Sequence, residues 1–170
     1  MSPTRTSDAT SKQSFGSEPL RLVSFNVGDE QFAVDILRVQ EINRMMELTQ
    51  VPQSPPGVCG VINLRGRIVP VLDLRSRFGL EPSERNDESR IIVVDVRGST
   101  VGFIVDAVHQ VLQIDPKIVE PSPSASSSPD GNYIQGVAKL EGTLLILLDL
   151  DLLMSNESLE SINAISAKAA

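Results

Sequence analysis

Apolar and polar positions divide the chain into short strand-length runs separated by turn residues. Residues 20–27 form the first run, and within it Val23-Ser24-Phe25-Asn26-Val27 alternates as a strand with one buried face does. Gly28-Asp29-Glu30 is a turn signal and residues 31–36 form a second run. Val39-Gln40-Glu41-Ile42 begins a third, in which alternation places Val39 and Glu41 on one face and Gln40 and Ile42 on the other. Residues 90–96, the turn Arg97-Gly98-Ser99 and residues 100–106 repeat the opening plan, and Val111-Leu112-Gln113-Ile114 then follows as Val39 to Ile42 did. Residues 91–94 and 144–148 are continuously apolar and predict strands covered on both faces. Pro70, inside Ile68-Val69-Pro70-Val71, removes a backbone donor and places its strand at an edge there, whereas its counterpart Ile146 carries no such restriction.

The pattern is a duplication. Gly60-Val61-Ile62-Asn63-Leu64-Arg65-Gly66 returns 76 residues later as Gly136-Val137-Ala138-Lys139-Leu140-Glu141-Gly142, and each copy runs on into Leu-Asp-Leu. Seven of the 15 positions from Gly60 to Leu74 are identical in the second copy. Each half therefore reads as about five short strands, the signature of a small antiparallel barrel, with a short helix after each unit at residues 74–78 and 150–154. The expected division is a first barrel over 20–85 and a second over 90–154, flanked by a mobile tail over 1–19 and a C-terminal tail over 155–170. A unit of about 65 residues buries too little of its surface to stand alone, so the two barrels are expected to share a core with a groove at their seam. The long connections, 46–58 and 115–132, occupy equivalent places, and the Ser/Pro-rich one reads as mobile.

Composition agrees with an all-β reading. Val and Ile number 31 against six aromatic residues, a balance that suits pleated surfaces and predicts an aliphatic core. One cysteine, Cys59, excludes an internal disulfide and has no metal-ligand spacing around it. The net charge of −7 argues against nucleic acid as a partner, and no apolar span is long enough to cross a bilayer. With no secretory signal at the start of the sequence, the expected location is the cytoplasm. Residues 21–85 balance eight basic against eight acidic groups, whereas residues 90–153 carry four against eight, which would suit two different partners.

Catalytic chemistry is poorly represented. His109 is the only histidine, so any hydrolytic arrangement would have to run through it, and no nucleophile, phosphate-binding or metal motif surrounds it. A small hydrolase using His109 is the weakest reading. Asp73 and Asp149 end aliphatic runs just before the short helices, and read as N-caps rather than as paired carboxylates. The hairpin turn carries Arg65 in one copy and Glu141 in the other, so the turn itself does not demand Arg65. With Glu41 within the same unit, an Arg65–Glu41 pair at a binding surface is expected, serving specificity more than stability.

With these residues in view, the sequence resembles the CheW family, the coupling proteins of bacterial chemosensory arrays. The likeness runs from about residue 20 to residue 154. It rests on Val-Asp-Ile-Leu-Arg-Val-Gln-Glu-Ile at 34–42, on Gly-Val-Ile-Asn-Leu-Arg-Gly followed by Pro-Val-Leu-Asp-Leu at 60–74, and on Val101-Gly102-Phe103-Ile104-Val105-Asp106. It implies two five-stranded barrels similar to the Src-homology-3 barrel, no enzymatic activity and no cofactor. It further implies two partners, the regulatory domain of a CheA-type histidine kinase and the cytoplasmic hairpin tip of chemoreceptors, with recruitment to membrane-associated receptor arrays but no insertion in the membrane. By position, Val39, Glu41, Gly60, Asn63 and Arg65 match first-unit motifs tied to partner binding, and Val111 and Leu112 match the second-unit wall of the groove. A coupling protein of a non-flagellar chemosensory pathway, controlling pili, development or gene expression, is the alternative.

Overall fold

The computed structural model describes residues 18–54, 57–121, 133–154 and 164; almost all of both expected tails and the body of the Ser/Pro connection lie outside them. The described chain forms strands β1 (Leu20–Val27), β2 (Glu30–Asp35), β3 (Val39–Arg44), β4 (Val58–Leu64) and β5 (Arg67–Asp73), then helix α1 (Leu74–Arg77). There follow β6 (Arg90–Val96), β7 (Ser99–Val105), β8 (Ala107–Ile114), β9 (Val119–Glu120), β10 (Ile134–Leu140), β11 (Thr143–Leu148) and helix α2 (Leu150–Leu153). The all-β architecture of two sheets with a short helix after each unit is as expected. Both helices are N-capped by the anticipated aspartates: Asp73 accepts from Arg75 N–H at 2.9 Å, and Asp149 from Asp151 N–H at 3.0 Å. Such a cap is worth about 1 kcal/mol.

The sheets do not divide where the sequence halves do. One has the order β8-β1-β2-β11-β10-β9 and the other β3-β6-β7-β5-β4. Neither barrel is therefore a contiguous 20–85 or 90–154. Each takes the opening hairpin of one copy and the later strands of the other. If β1, β2, β3, β4 and β5 are matched to β6, β7, β8, β10 and β11, the two strand orders become identical, with β9 added at one edge. The exchange is reciprocal, and it satisfies the need of two small units to share surface by making each complete the other's sheet.

Within each sheet the neighbours are antiparallel except for one parallel pair, β2–β11 or β7–β5. The β7–β5 ladder runs over Val71, Leu72 and Asp73, so Pro70 is paired with Val61 of β4 and lies outside the ladder on its other side. The strand is internal, yet the proline sits where only one neighbour is hydrogen-bonded. Ile146, its counterpart, pairs with Phe32 on β2.

Three apolar clusters follow from this arrangement. Leu22, Ala33, Ile114, Ala138, Leu145 and Leu147 fill one barrel. Ile62, Val69, Val71, Ile91, Val93 and Ile104 fill the other. The largest cluster lies between the sheets, where Val23, Phe25, Phe32 and Val34 meet Ile92, Val94, Val101 and Phe103. β6 is buried on both faces as its sequence predicts, with Ile91 and Val93 turned into the barrel and Ile92 and Val94 into the shared core. On β11 the prediction holds for Leu145, Leu147 and Leu148, but Leu144 is 53% exposed. The few aromatics concentrate at the seam, where Phe25, Phe32, Phe78 and Tyr133 stack in series with centroids 6.1, 4.7 and 5.3 Å apart.

Candidate functional site

β4 and β5 are joined by a two-residue turn, Arg65-Gly66, in which both residues have positive φ, 52° and 87°. Left-handed backbone is unfavourable for a side chain with a Cβ, by about 1–2 kcal/mol. Gly142 shares the conformation of Gly66, but Glu141 does not adopt the positive φ of Arg65, so the two copies solve the same connection with different turns. The side chain of Asn63 stabilises the strained version by accepting from Gly66 N–H at 2.8 Å. This gives Asn63 a local structural role within the candidate site.

Arg65 reaches across the open side of its barrel to β3, where Glu41 accepts from Nη1 at 2.9 Å and from Nη2 at 3.0 Å. β3 and β4 are the two edges of this sheet, so the bidentate pair bridges the open gap between them. Arg65 has 77% of its side chain in solvent and Glu41 has 23%. The two guanidinium hydrogen bonds hold the Glu41 carboxyl below its usual range, and Glu41 in turn raises the pKa of Arg65.

The placement of Glu41 differs from simple alternation. β3 is bulged at Gln40: Val39 pairs with Val94 and Glu41 with the adjacent Val93. Directly paired residues share a face, so Val39 turns to the shared core and Glu41 to the opposite face, above the barrel interior. The expectation of one common face fails because an extra residue resets the alternation.

Gly60 is required by close approach. A Cβ there would lie 2.7 Å from the carbonyl oxygen of Thr49, which is itself bonded to Val61 N–H at 2.8 Å. Gly60 thereby docks the segment after β3 onto β4.

Of the remaining predicted residues, Val111 lies on the edge strand β8 and is 60% exposed. Leu112 is not beside it on a groove wall. It pairs with Leu22, while Val111 pairs with Val23, so the two neighbours face opposite ways and Leu112 packs on the interior of its barrel. Leu37, which the sequence reading did not single out, is 87% exposed in a 3-10 turn capped by Asp35. Ile36, directly after the cap, packs against the shared core, and Leu37, the second residue of this short turn, is left turned to solvent.

His109 sits at the β1–β8 register shift, exposed, with Nε2 2.8 Å from the Asn26 side-chain oxygen. An amide in that position does not provide the carboxylate that orients a catalytic imidazole. Cys59 is half-buried, and burial pushes its thiol pKa up, away from the reactive thiolate. No group of three His, Cys, Asp or Glu with metal-ligand geometry occurs among the described residues.

Twinned barrels that exchange hairpins, with an ion pair across the rim of one, define a class of paired β-barrel modules. Comparison with known proteins narrows the class. A family model described as the CheW-like domain matches residues 21–158. The probable chemotaxis protein CheW of Rhizobium etli is 36% identical over 140 residues, covering 82% of this chain and 90% of that protein. The chemotaxis protein CheW of Bacillus subtilis is 34% identical over 141 residues, covering 83% and 90%. Among solved structures, the scaffolding protein TtCheW from Thermoanaerobacter tengcongensis superposes with a TM-score of 0.75 at 36% identity, covering 82% of this chain and 95% of that one. The chain belongs to the CheW-like domain family.

Proposed function

We propose that this protein is a non-enzymatic coupling adaptor of a chemotaxis pathway, bridging chemoreceptors and a CheA-type histidine kinase so that receptor state biases kinase activity. The observation that carries the reading is the Arg65–Glu41 pair. A largely exposed arginine is held in left-handed backbone, at a turn whose duplicate needs no such conformation, and its guanidinium is fixed by two hydrogen bonds. Arg97 has the same φ of 52° at the β6–β7 turn, so the left-handed backbone belongs to the hairpin, and what supports the reading is the bidentate bonding that holds an exposed charge in one orientation. The names of the relatives, chemotaxis protein and scaffolding protein, agree with it.

In this reading the helical hairpin tip of a receptor lays an apolar face against Val111, with Val39 supporting the seam from the shared core. Arg65 and Glu41 fix orientation, and Gly60 and Asn63 hold the strand and turn that present Arg65. A separate surface takes the regulatory domain of the kinase. The protein works in the cytoplasm and reaches the membrane through the receptor; among the described residues no helix is long and apolar enough to cross a bilayer. A non-flagellar chemosensory pathway would use the same surfaces. Co-sedimentation with receptor-containing membranes tests the assignment. Wild-type protein is expected in the pellet and Val111→Asp in the supernatant, whereas equal recovery of both would remove Val111 from the receptor surface.

A further inference from the structure

Arg44 and Arg90 stand directly opposite each other where β3 and β6 pair. Opposed residues hold their Cβ atoms about 4.5–5.5 Å apart, and like charges in that relation are destabilising. Each arginine brings a planar guanidinium cation with five donors. Neither has a carboxylate partner among the described residues. Arg90 uses Nη1 to donate to the backbone carbonyls of Asp87 at 2.7 Å and Ser89 at 2.8 Å, which holds its guanidinium in place and leaves Nε and Nη2 without a partner. Arg44 makes no hydrogen bond or ion pair to any described residue.

The two arginines line an open cavity of about 480 Å³ together with Met45, Asn86, Asp87 and Ser89. Ser89 is only 5% exposed. Its Oγ accepts from Asn86 N–H at 3.0 Å, and its hydroxyl hydrogen donates to no described residue. Asp87 is the one acidic group in the lining, and its carboxylate pairs with neither arginine. The cavity thus gathers unused donors from two cations on paired strand positions and from a buried hydroxyl.

We propose that this cavity is an oxyanion-binding site, in which Arg44 and Arg90 grip a phosphate or carboxylate group and Ser89 donates a further hydrogen bond. Planar guanidinium forks match the paired oxygens of those groups, and one anion bound by both offsets the repulsion between two like charges on paired positions. The oxyanion comes either from a free small molecule or from an acidic side chain on a partner protein. The site is independent of the coupling reading, because none of its residues belongs to the Arg65–Glu41 corner.

The test is an NMR titration of the full chain, following the Arg90 Nε–H and the Ser89 and Asn86 amides. Inorganic phosphate and a short acetylated glutamate peptide are added separately, with sodium chloride at matched ionic strength as the control. Saturating shifts with phosphate identify a free anion, saturating shifts with the peptide alone identify a partner's acidic side chain, and either supports the site. Arg44→Gln and Arg90→Gln should each weaken binding about tenfold or more. Shifts that do not saturate, that chloride reproduces, or that survive both substitutions unchanged overturn the proposal. Melting without added anion gives a second readout. Arg44→Gln should raise the melting temperature at low salt, and the gain should fade as salt screens the repulsion; a fall would contradict the like-charge argument.

Discussion

Arg75 and Asp151 occupy the same position in the two copies, 76 residues apart, with opposite charges, and each is held by its opposite at a strand crossing. Arg75 bonds Asp106 at 2.9 Å, between β7 and β8, where the chain leaves one sheet for the other. Asp151 bonds Arg38 at 2.6 Å, between β2 and β3, where it makes the reverse passage. The two short helices therefore clamp the two crossings that create the exchange. Their polarity is inverted, so each crossing has a partner that the other could not replace without placing like charges together.

The clamps differ in strength in a way that can be measured. Asp106 also accepts from Gly28 N–H at 2.8 Å, so Asp106→Asn weakens several charge-assisted bonds and should cost about 1–3 kcal/mol in urea unfolding. Asp151→Asn, at a more exposed pair, should cost about 1 kcal/mol or less. Asp151→Arg should cost more than Asp151→Asn, and adding Arg38→Asp should restore most of the loss. A double variant no more stable than Asp151→Arg would mean that the pair does not couple.

Val111 and Leu112 are neighbours with opposite assignments. Leu112→Ala should cost about 2 kcal/mol by vacating part of a barrel interior. Val111→Ala should leave stability nearly unchanged, since its side chain is already largely in water. Chemical denaturation of both reads the contrast directly, and equal costs would reverse the facing derived from their registers.

Gly60→Ala should destabilise, because the new Cβ would meet the backbone oxygen of Thr49 rather than a side chain able to move aside. Hydrogen exchange should accelerate first at the Thr49 and Val61 amides, which bond each other's carbonyls at 2.9 and 2.8 Å. Protection unchanged at both amides would show that the segment docks by other means.

The Arg65–Glu41 pair has a pH signature. Because Arg65 depresses the folded pKa of Glu41, the contribution of the pair is fully present above the ordinary glutamate value of 4.5 and is lost as pH falls through the lower folded value. NMR titration of the Glu41 carboxyl should give a midpoint below 4.5 in the wild type and a higher one in Arg65→Gln. Identical midpoints would mean that the pair is not formed in solution.

The repeat, the caps, the turn and the choice of Arg65 with Glu41 were legible in the sequence, because each is a local pattern or a comparison between copies. The exchange of hairpins was not. Residues 36–38 read as the same short connection whichever sheet receives β3, so strand partnership lies outside the local signal. The facing of Glu41 was hidden for a related reason: a bulge at Gln40 leaves Val-Gln-Glu-Ile looking like clean alternation. Arg44 and Arg90 lie 46 residues apart and meet only through register. The charge difference between sequence halves also loses its simple meaning, since each barrel draws strands from both.

In the proposed function the Arg65 corner transmits a partner signal, and the fold does not depend on it. Reconstitution of receptor membranes, kinase and this protein, read as ATP-dependent kinase autophosphorylation, tests it most directly when Arg65→Glu is compared with wild type at matched circular dichroism. Wild-type protein should place the kinase under receptor control, and Arg65→Glu, fully folded, should largely lose this effect. Full receptor-controlled phosphorylation with Arg65→Glu would contradict it.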